Sequence, residues 1–357
     1  MIRIAYIINS VEGGGAALPV PDVTGVLRRG GAEVRVLALT RRDGRAIAPM
    51  EAAGLAVTVR DGGEKDHWAA LGWLDRQIAD WRPTHLWTSL TRATLLGQIA
   101  GLRRGVPVVS WQHAAYLKPA NRRLLRALQP LSRLWIGDSD AVTRLTAERL
   151  KVPAPRLMQW SIFRADAAAP QARAWQPGEP VRIGTLGRLH PVKGYDVLIE
   201  ALARLQQGAV PFEVSIAGDG AGREGLEARA RALGVTTLRL AGYTADPRGY
   251  LATLHLYVQP SRSEGLCVAA HEAMQAGLPV IASAVGQLPY SISEGKTGAL
   301  VPPGDAPALA GVLARLLDRP EHLAAMGARA RADVLDRFGP ERFEAAGLAI
   351  LERMRAF

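Results

Sequence analysis

Two cationic side chains, Arg188 and Lys193, stand five residues apart in Gly187-Arg188-Leu189-His190-Pro191-Val192-Lys193-Gly194, directly after an apolar run. A guanidinium is a planar fork and an ammonium a point charge. On a loop between strand and helix the two can converge on a diphosphate. Two carboxylates, Glu264 and Glu272, lie eight apart in Pro260-Ser261-Arg262-Ser263-Glu264-Gly265-Leu266-Cys267-Val268-Ala269-Ala270-His271-Glu272. The spacing predicts a loop-to-helix junction, with Glu264 in the loop and Glu272 about two turns into the helix. Gly265 lets backbone approach a ligand, and the N–H groups from Gly265 through Leu266 and Cys267 into the helix form an anion site. Glu272 then accepts both hydroxyls of a ribose, while Glu264 faces a neighbouring sugar. Taken singly, a solvated basic loop and an acidic helix face explain these residues as well. Glu272, however, stands among small residues suited to burial, where an unpaired carboxylate is costly.

A third run, Ala217-Gly218-Asp219-Gly220-Ala221-Gly222, imitates a dinucleotide fingerprint. That fingerprint expects an acidic residue about 20 positions on, for a ribose diol. Thr237-Leu238-Arg239-Leu240 carries none, which disfavours a nicotinamide cofactor. A fourth run, Ala276-Gly277-Leu278-Pro279 through Thr297-Gly298 to Pro302-Pro303-Gly304-Asp305, has the glycines and prolines of helix stops and tight strand entries.

In this order, the four runs over 181–340 resemble the C-terminal domain of the family 4 retaining glycosyltransferases of the GT-B fold, with their E-x7-E motif at Glu264 and Glu272. The first half is similar more loosely. Asn9-Ser10-Val11-Glu12-Gly13-Gly14-Gly15 resembles the family's glycine-rich phosphate-side loop, and His113 its active-site histidine. The resemblance implies a UDP- or GDP-sugar donor, with the leaving diphosphate held by Arg188, Lys193 and helix amides and no metal or other cofactor required. His113, Arg188, Lys193 and Glu264 are then the catalytic set. Gly13, Gly14, Gly15, Arg188, Lys193, Gly265, Leu266, Cys267 and Glu272 bind the donor. The sequence departs from the family at Cys267, where glycine is usual, and at Tyr290, where glutamate is usual. Pro19 and Pro21 interrupt a normally continuous first helix, so that helix is expected to start late. Asp138-Ser139-Asp140 imitates the metal-binding D-x-D of GT-A enzymes, but it joins a strand to a helix, where Ser139 or Asp140 is a ready N-cap.

The elements that position these residues follow from alternating short apolar runs and longer amphipathic segments, the pattern of parallel α/β sheets. Strands are expected over 3–9, 33–38, 56–60, 85–88, 106–110 and 134–138, with helices over 23–29, 68–80, 92–104, 121–131 and 141–150. After a linker-like 165–180, strands are expected over 181–186, 213–217, 237–241, 256–259, 279–283 and 299–301. Helices over 306–317, 320–336 and 341–357 close the chain. The expected architecture is two doubly wound Rossmann-like domains facing a cleft, 1–165 on the acceptor side and 175–338 for the nucleotide sugar. The helix over 341–357, after the Phe338-Gly339-Pro340 break, packs back on the first.

The 357 residues are 48% apolar and 22% charged, which excludes wholesale disorder, and the single cysteine excludes a disulfide framework. No apolar run approaches a membrane span, and the start is too short for a signal peptide, so a cytoplasmic protein is expected. Charge is uneven. Residues 1–170 hold 24 basic and 14 acidic side chains, and between Asp80 and Asp138 nine Arg or Lys occur with no carboxylate. An anionic membrane docking on 81–137, on the inner face of the plasma membrane, suits a lipid-linked saccharide acceptor in envelope or exopolysaccharide synthesis, with Arg122, Arg123 and Arg126 as the docking face. A nucleotide-sugar 2-epimerase of the same fold is the nearest rival. A non-catalytic nucleic-acid-binding protein is the other, but no nucleic-acid motif supports it, and no nucleic-acid partner is expected.

Overall fold

The computed structural model describes residues 1–114, 116–205 and 210–357; Ala115, inside the proposed docking stretch, lies outside them. The chain forms two compact units, Met1–Arg164 with Pro340–Phe357, and Ala165–Gly339. The first is built on β1 (Ile2–Ser10), β2 (Ala32–Thr40), β3 (Ala56–Val59), β4 (His85–Ser89), β5 (Val108–Gln112), β6 (Ser132–Gly137) and β7 (Leu157–Gln159). These make a seven-stranded sheet in the order β3-β2-β1-β4-β5-β6-β7, parallel throughout. The second holds β8 (Val181–Leu186), β9 (Phe212–Ala217), β10 (Leu238–Gly242), β11 (Leu256–Gln259), β12 (Val280–Ser283) and β13 (Gly298–Val301), in the order β10-β9-β8-β11-β12-β13, again all parallel. Each is a doubly wound Rossmann-like sheet. Strand order reverses between β1 and β4 and between β8 and β11, the points beyond whose carboxyl ends such folds bind ligands. The central strands are near-continuous apolar runs because helices cover both faces.

The first unit is centred on aromatic packing. Trp111 stacks on Trp160 with centroids 5.3 Å apart, and Trp87 meets both edge-on. The closing helix, Pro340–Arg355, belongs to this unit. Trp160 Nε1 donates to the Phe343 carbonyl (2.9 Å), and a Cβ on Gly347 would meet the Trp160 ring at 2.4 Å. Only glycine lets that helix come so close.

Boundaries differ from expectation where proline or a tight turn intervenes. The first helix is Val20–Arg29, earlier than expected, because a proline in the first turn lacks only an N–H that would go unused there. The strand expected at 106–110 is Val108–Gln112: Pro107 cannot donate, and the Val106 amide already closes the preceding helix on Gly101. The helix expected to 131 ends at Leu128 and tightens into a 3₁₀ turn at Pro130. The short strand β7 and the helix Ile47–Ala52 lie in segments too brief to show periodicity.

Candidate active site

In the second unit the loops after β8 and β11 lie side by side at the switch point, joined by backbone. Gly194 has φ +67°, and a Cβ there would fall 2.0 Å from the Pro260 carbonyl oxygen, so glycine is required on both counts. The Arg262 amide donates to the Val192 carbonyl at 2.8 Å, and its guanidinium forks onto Asp196 at 2.7 and 2.6 Å. This junction delivers the Lys193 ammonium to Glu264, Nζ to Oε1 2.8 Å. The same oxygen accepts from Ser261 Oγ (2.6 Å) and Gln259 Nε2 (3.1 Å), and the Tyr257 hydroxyl donates to Gln259 Oε1 (2.8 Å). Tyr257, Gln259 and Ser261 are fully buried, so Glu264 is the open end of a buried polar chain.

Burial works against the Lys193 charge, yet the ammonium pKa stands above its ordinary value, with the Glu264 carboxylate the main group raising it. Arg188, exposed on the same loop, pushes the other way, so the two cations lie within electrostatic reach of each other. A shared anion relieves that repulsion. The glycines of 218–222 hold this loop: the Gly222 amide donates to the Leu189 carbonyl (3.0 Å), the Leu189 amide donates to the Asp219 carbonyl (2.9 Å), and a Cβ on Gly220 or Gly222 would crowd Leu189 at 2.8 Å. The imitation of a dinucleotide fingerprint is thus loop packing.

The helix after the second loop is Val268–Gln275, which places Glu272 about one turn in, not two. Its N-cap is Cys267, in the left-handed region at φ 66°, with no side-chain cap on the first amides. Glycine takes that conformation without cost and cysteine does not. Burial pushes the Cys267 thiol up, so it stays a neutral thiol. Below it, Gly286 takes φ +58° with no room for a Cβ: the Glu264 and Gly265 carbonyls would each lie 2.4 Å away. The Glu272 side chain is partly accessible, and burial lifts its carboxyl to about 7, with Arg248 pulling weakly the other way. Among the described residues it has no hydrogen-bond donor or ion-pair partner. It is a carboxylate held short of partners, ready for hydroxyl donors.

In the first unit, the Gly13 amide donates to Asp43 Oδ1 (2.9 Å) and Arg42 pairs with Glu12 (2.6 Å), so the loop after β1 is pinned by the segment after β2. Gly14 donates back to the Glu12 carbonyl, and Gly15 is exposed. His113 follows β5, with Nε2 2.8 Å from Ser89 Oγ and Nδ1 3.4 Å from Asp138 Oδ2. Ser139 caps the helix Asp140–Leu150 through the Val142 amide. Sequence reasoning found the cap but missed the Asp138–His113 contact, the polar chain through Gln259 and Ser261, and Asp43. Polar residues ending buried strands were the available signal. No group of three or more metal-ligating side chains occurs among the described residues, and no helix there is long and apolar enough to cross a membrane.

Residues 171–333 match the family described as Glycosyl transferases group 1. Among curated relatives, a D-inositol 3-phosphate glycosyltransferase of Segniliparus rotundus is 31% identical over 281 residues, covering 68% of this chain and 60% of that protein. A GDP-mannose-dependent alpha-(1-6)-phosphatidylinositol monomannoside mannosyltransferase of Mycolicibacterium smegmatis is 32% identical over 181 residues, 48% of this chain and 47% of that one. The chain thus spans about three fifths of the first relative's length and about half of the second's. Among solved structures, Anabaena Alr3699/HepE in complex with UDP and glucose aligns over the full length of both chains with a TM-score of 0.84 at 20% identity. The lipopolysaccharide outer core galactosyltransferase WaaB aligns over 99% of this chain and all of its own, with a TM-score of 0.77 at 17% identity. Both units therefore share the fold of GT-B glycosyltransferases, and residues 171–333 are similar to the group 1 glycosyl transferases.

Proposed function

We propose that this protein transfers a hexose from a UDP- or GDP-sugar to a saccharide acceptor, with retention at the anomeric carbon and without a metal ion. The observation that carries the reading is Glu272: a half-buried carboxyl pushed up to about 7, without a donor among the described residues, on a helix whose first amides have no side-chain cap. A nucleotide supplies what is missing, with ribose hydroxyls for the carboxylate and a diphosphate for Arg188, Lys193 and the helix start. Charge stabilisation of the departing diphosphate is then the main catalytic term. The UDP named in the HepE complex and the GDP-mannose named for the mannosyltransferase relative support both nucleotide classes.

The acceptor in this reading is lipid-linked, and the enzyme works peripherally at the cytoplasmic face of the membrane in envelope or exopolysaccharide synthesis. The helix Pro119–Leu128 supports it: Arg122, Arg123, Leu124 and Arg126 are exposed while Leu125 is buried, a cationic face with an apolar tip. Titration calorimetry with UDP and GDP on wild type and Glu272→Gln tests the donor site. The expected result is one tight nucleotide whose Kd rises about tenfold or more in the variant, as loss of a charged hydrogen bond costs ~1.5–3 kcal/mol. Equal Kd values in a folded variant overturn the assignment.

A further inference from the structure

Ser89 ends β4, His113 follows β5 and Asp138 follows β6, so three adjacent parallel strands carry these residues to the same carboxyl end of the sheet. Ser89 Oγ lies 2.8 Å from His113 Nε2, and Asp138 Oδ2 lies 3.4 Å from Nδ1. The imidazole and carboxylate side chains are 7% and 3% exposed, and Ser89 is fully buried. The Ser139 hydroxyl donates to the other Asp138 oxygen at 3.1 Å, which leaves Oδ2 to the imidazole. Trp111 packs against the ring with centroids 5.0 Å apart.

We propose that Asp138 and Ser89 are positioning residues that hold His113 as the Nδ1–H tautomer, with Nε2 the acceptor it offers to a sugar hydroxyl. This rests on the glycosyltransferase reading of the site. A buried carboxylate oxygen beside a ring nitrogen favours an N–H there, and among the described residues Nδ1 has no hydrogen-bond partner that would hold it otherwise. The opposite tautomer would set the Nδ1 lone pair against Asp138. With Nδ1 protonated, Ser89 donates to Nε2 and keeps that lone pair aligned until a substrate hydroxyl replaces it. At 3.4 Å the carboxylate contact is loose, and such contacts tighten in the loaded site. Two residues from separate strands thus decide whether His113 accepts or donates.

The test is ¹⁵N NMR of the full chain labelled in histidine, with the His113 signals identified by their loss in His113→Gln. The expected wild-type pattern is protonated Nδ1 and bare Nε2; Asp138→Asn should mix or invert it, and Ser89→Ala should move only Nε2. In turnover, Asp138→Asn should lower kcat about tenfold with donor KM unchanged, and Asp138→Glu should restore part of it. A wild-type Nε2–H tautomer, or an unchanged tautomer in Asp138→Asn, overturns the proposal. So does unchanged kcat once the tautomer has switched. If Asp138→Asn fails to fold, an unmoved Nε2 signal in Ser89→Ala is sufficient to overturn it. Absence of turnover with every nucleotide sugar in wild type refutes the glycosyltransferase reading instead, while the NMR pattern still decides the tautomer.

Discussion

Replacing Glu272 by glutamine should strengthen the empty protein while weakening its hold on nucleotide. The Glu272 carboxyl titrates near pH 7 in the folded chain, against 4.5 for an unperturbed glutamate, because burial disfavours its charge. Between those pH values the folded form keeps a proton that the unfolded form has lost. Stability therefore falls as pH rises from about 4.5 to about 7, and the loss persists above 7. The difference of about 2.5 units corresponds to roughly 3 kcal/mol as a ceiling, and partial access to water lowers it to about half. Glutamine keeps the shape without the charge. At pH 8 the variant should melt about 3–6 °C higher, the scale for a domain of this size, and the gap should close near pH 4.5. Differential scanning calorimetry of both proteins across that range, without nucleotide, is the assay. A variant that melts lower at pH 8, or a gap that does not change with pH, refutes the idea of an uncompensated carboxylate. Gains in stability against losses in binding are what sites built for ligands show.

Arg188→Ala and Lys193→Ala should each lower kcat by about 10², the usual cost of losing transition-state charge stabilisation, and turnover should survive EDTA; a strict Mg²⁺ or Mn²⁺ requirement would contradict this. Gly194→Ala should cost more than ~2 kcal/mol in a denaturant melt, since its Cβ meets the Pro260 carbonyl in a left-handed backbone; a change under about 0.5 kcal/mol would show that the two loops are not joined there. Arg122→Glu/Arg123→Glu/Arg126→Glu should abolish salt-sensitive cosedimentation with phosphatidylglycerol vesicles while sparing nucleotide binding, and equal pelleting with wild type would remove the membrane reading.

Much of the second unit was legible because its chemistry is local. Arg188 and Lys193 sit on one loop, Glu264 and Glu272 on one loop-to-helix junction, and glycines mark the places where backbone must pass. What joins the two loops was hidden, since Gly194 against Pro260 is a contact across 66 positions that no periodicity records. Asp138 was misleading for a similar reason. Next to Ser139 it looks like part of a helix cap, and only the order of β4, β5 and β6 turns it toward His113. Cys267 was noted only as a departure from the usual glycine; its positive φ is a conformation that glycine takes without cost.

The proposed reaction is retaining hexosyl transfer from a nucleotide sugar held by the second unit. Its most direct test is time-resolved ¹H NMR of the protein in EDTA with α-configured UDP- and GDP-hexoses, read at the anomeric proton with and without a lipid-linked saccharide acceptor. The expected result is free nucleoside diphosphate and a new α-anomeric signal on the acceptor, both appearing about 10²-fold more slowly in Lys193→Ala. A β-anomeric product, or a 2-epimerised sugar formed without acceptor, would contradict it.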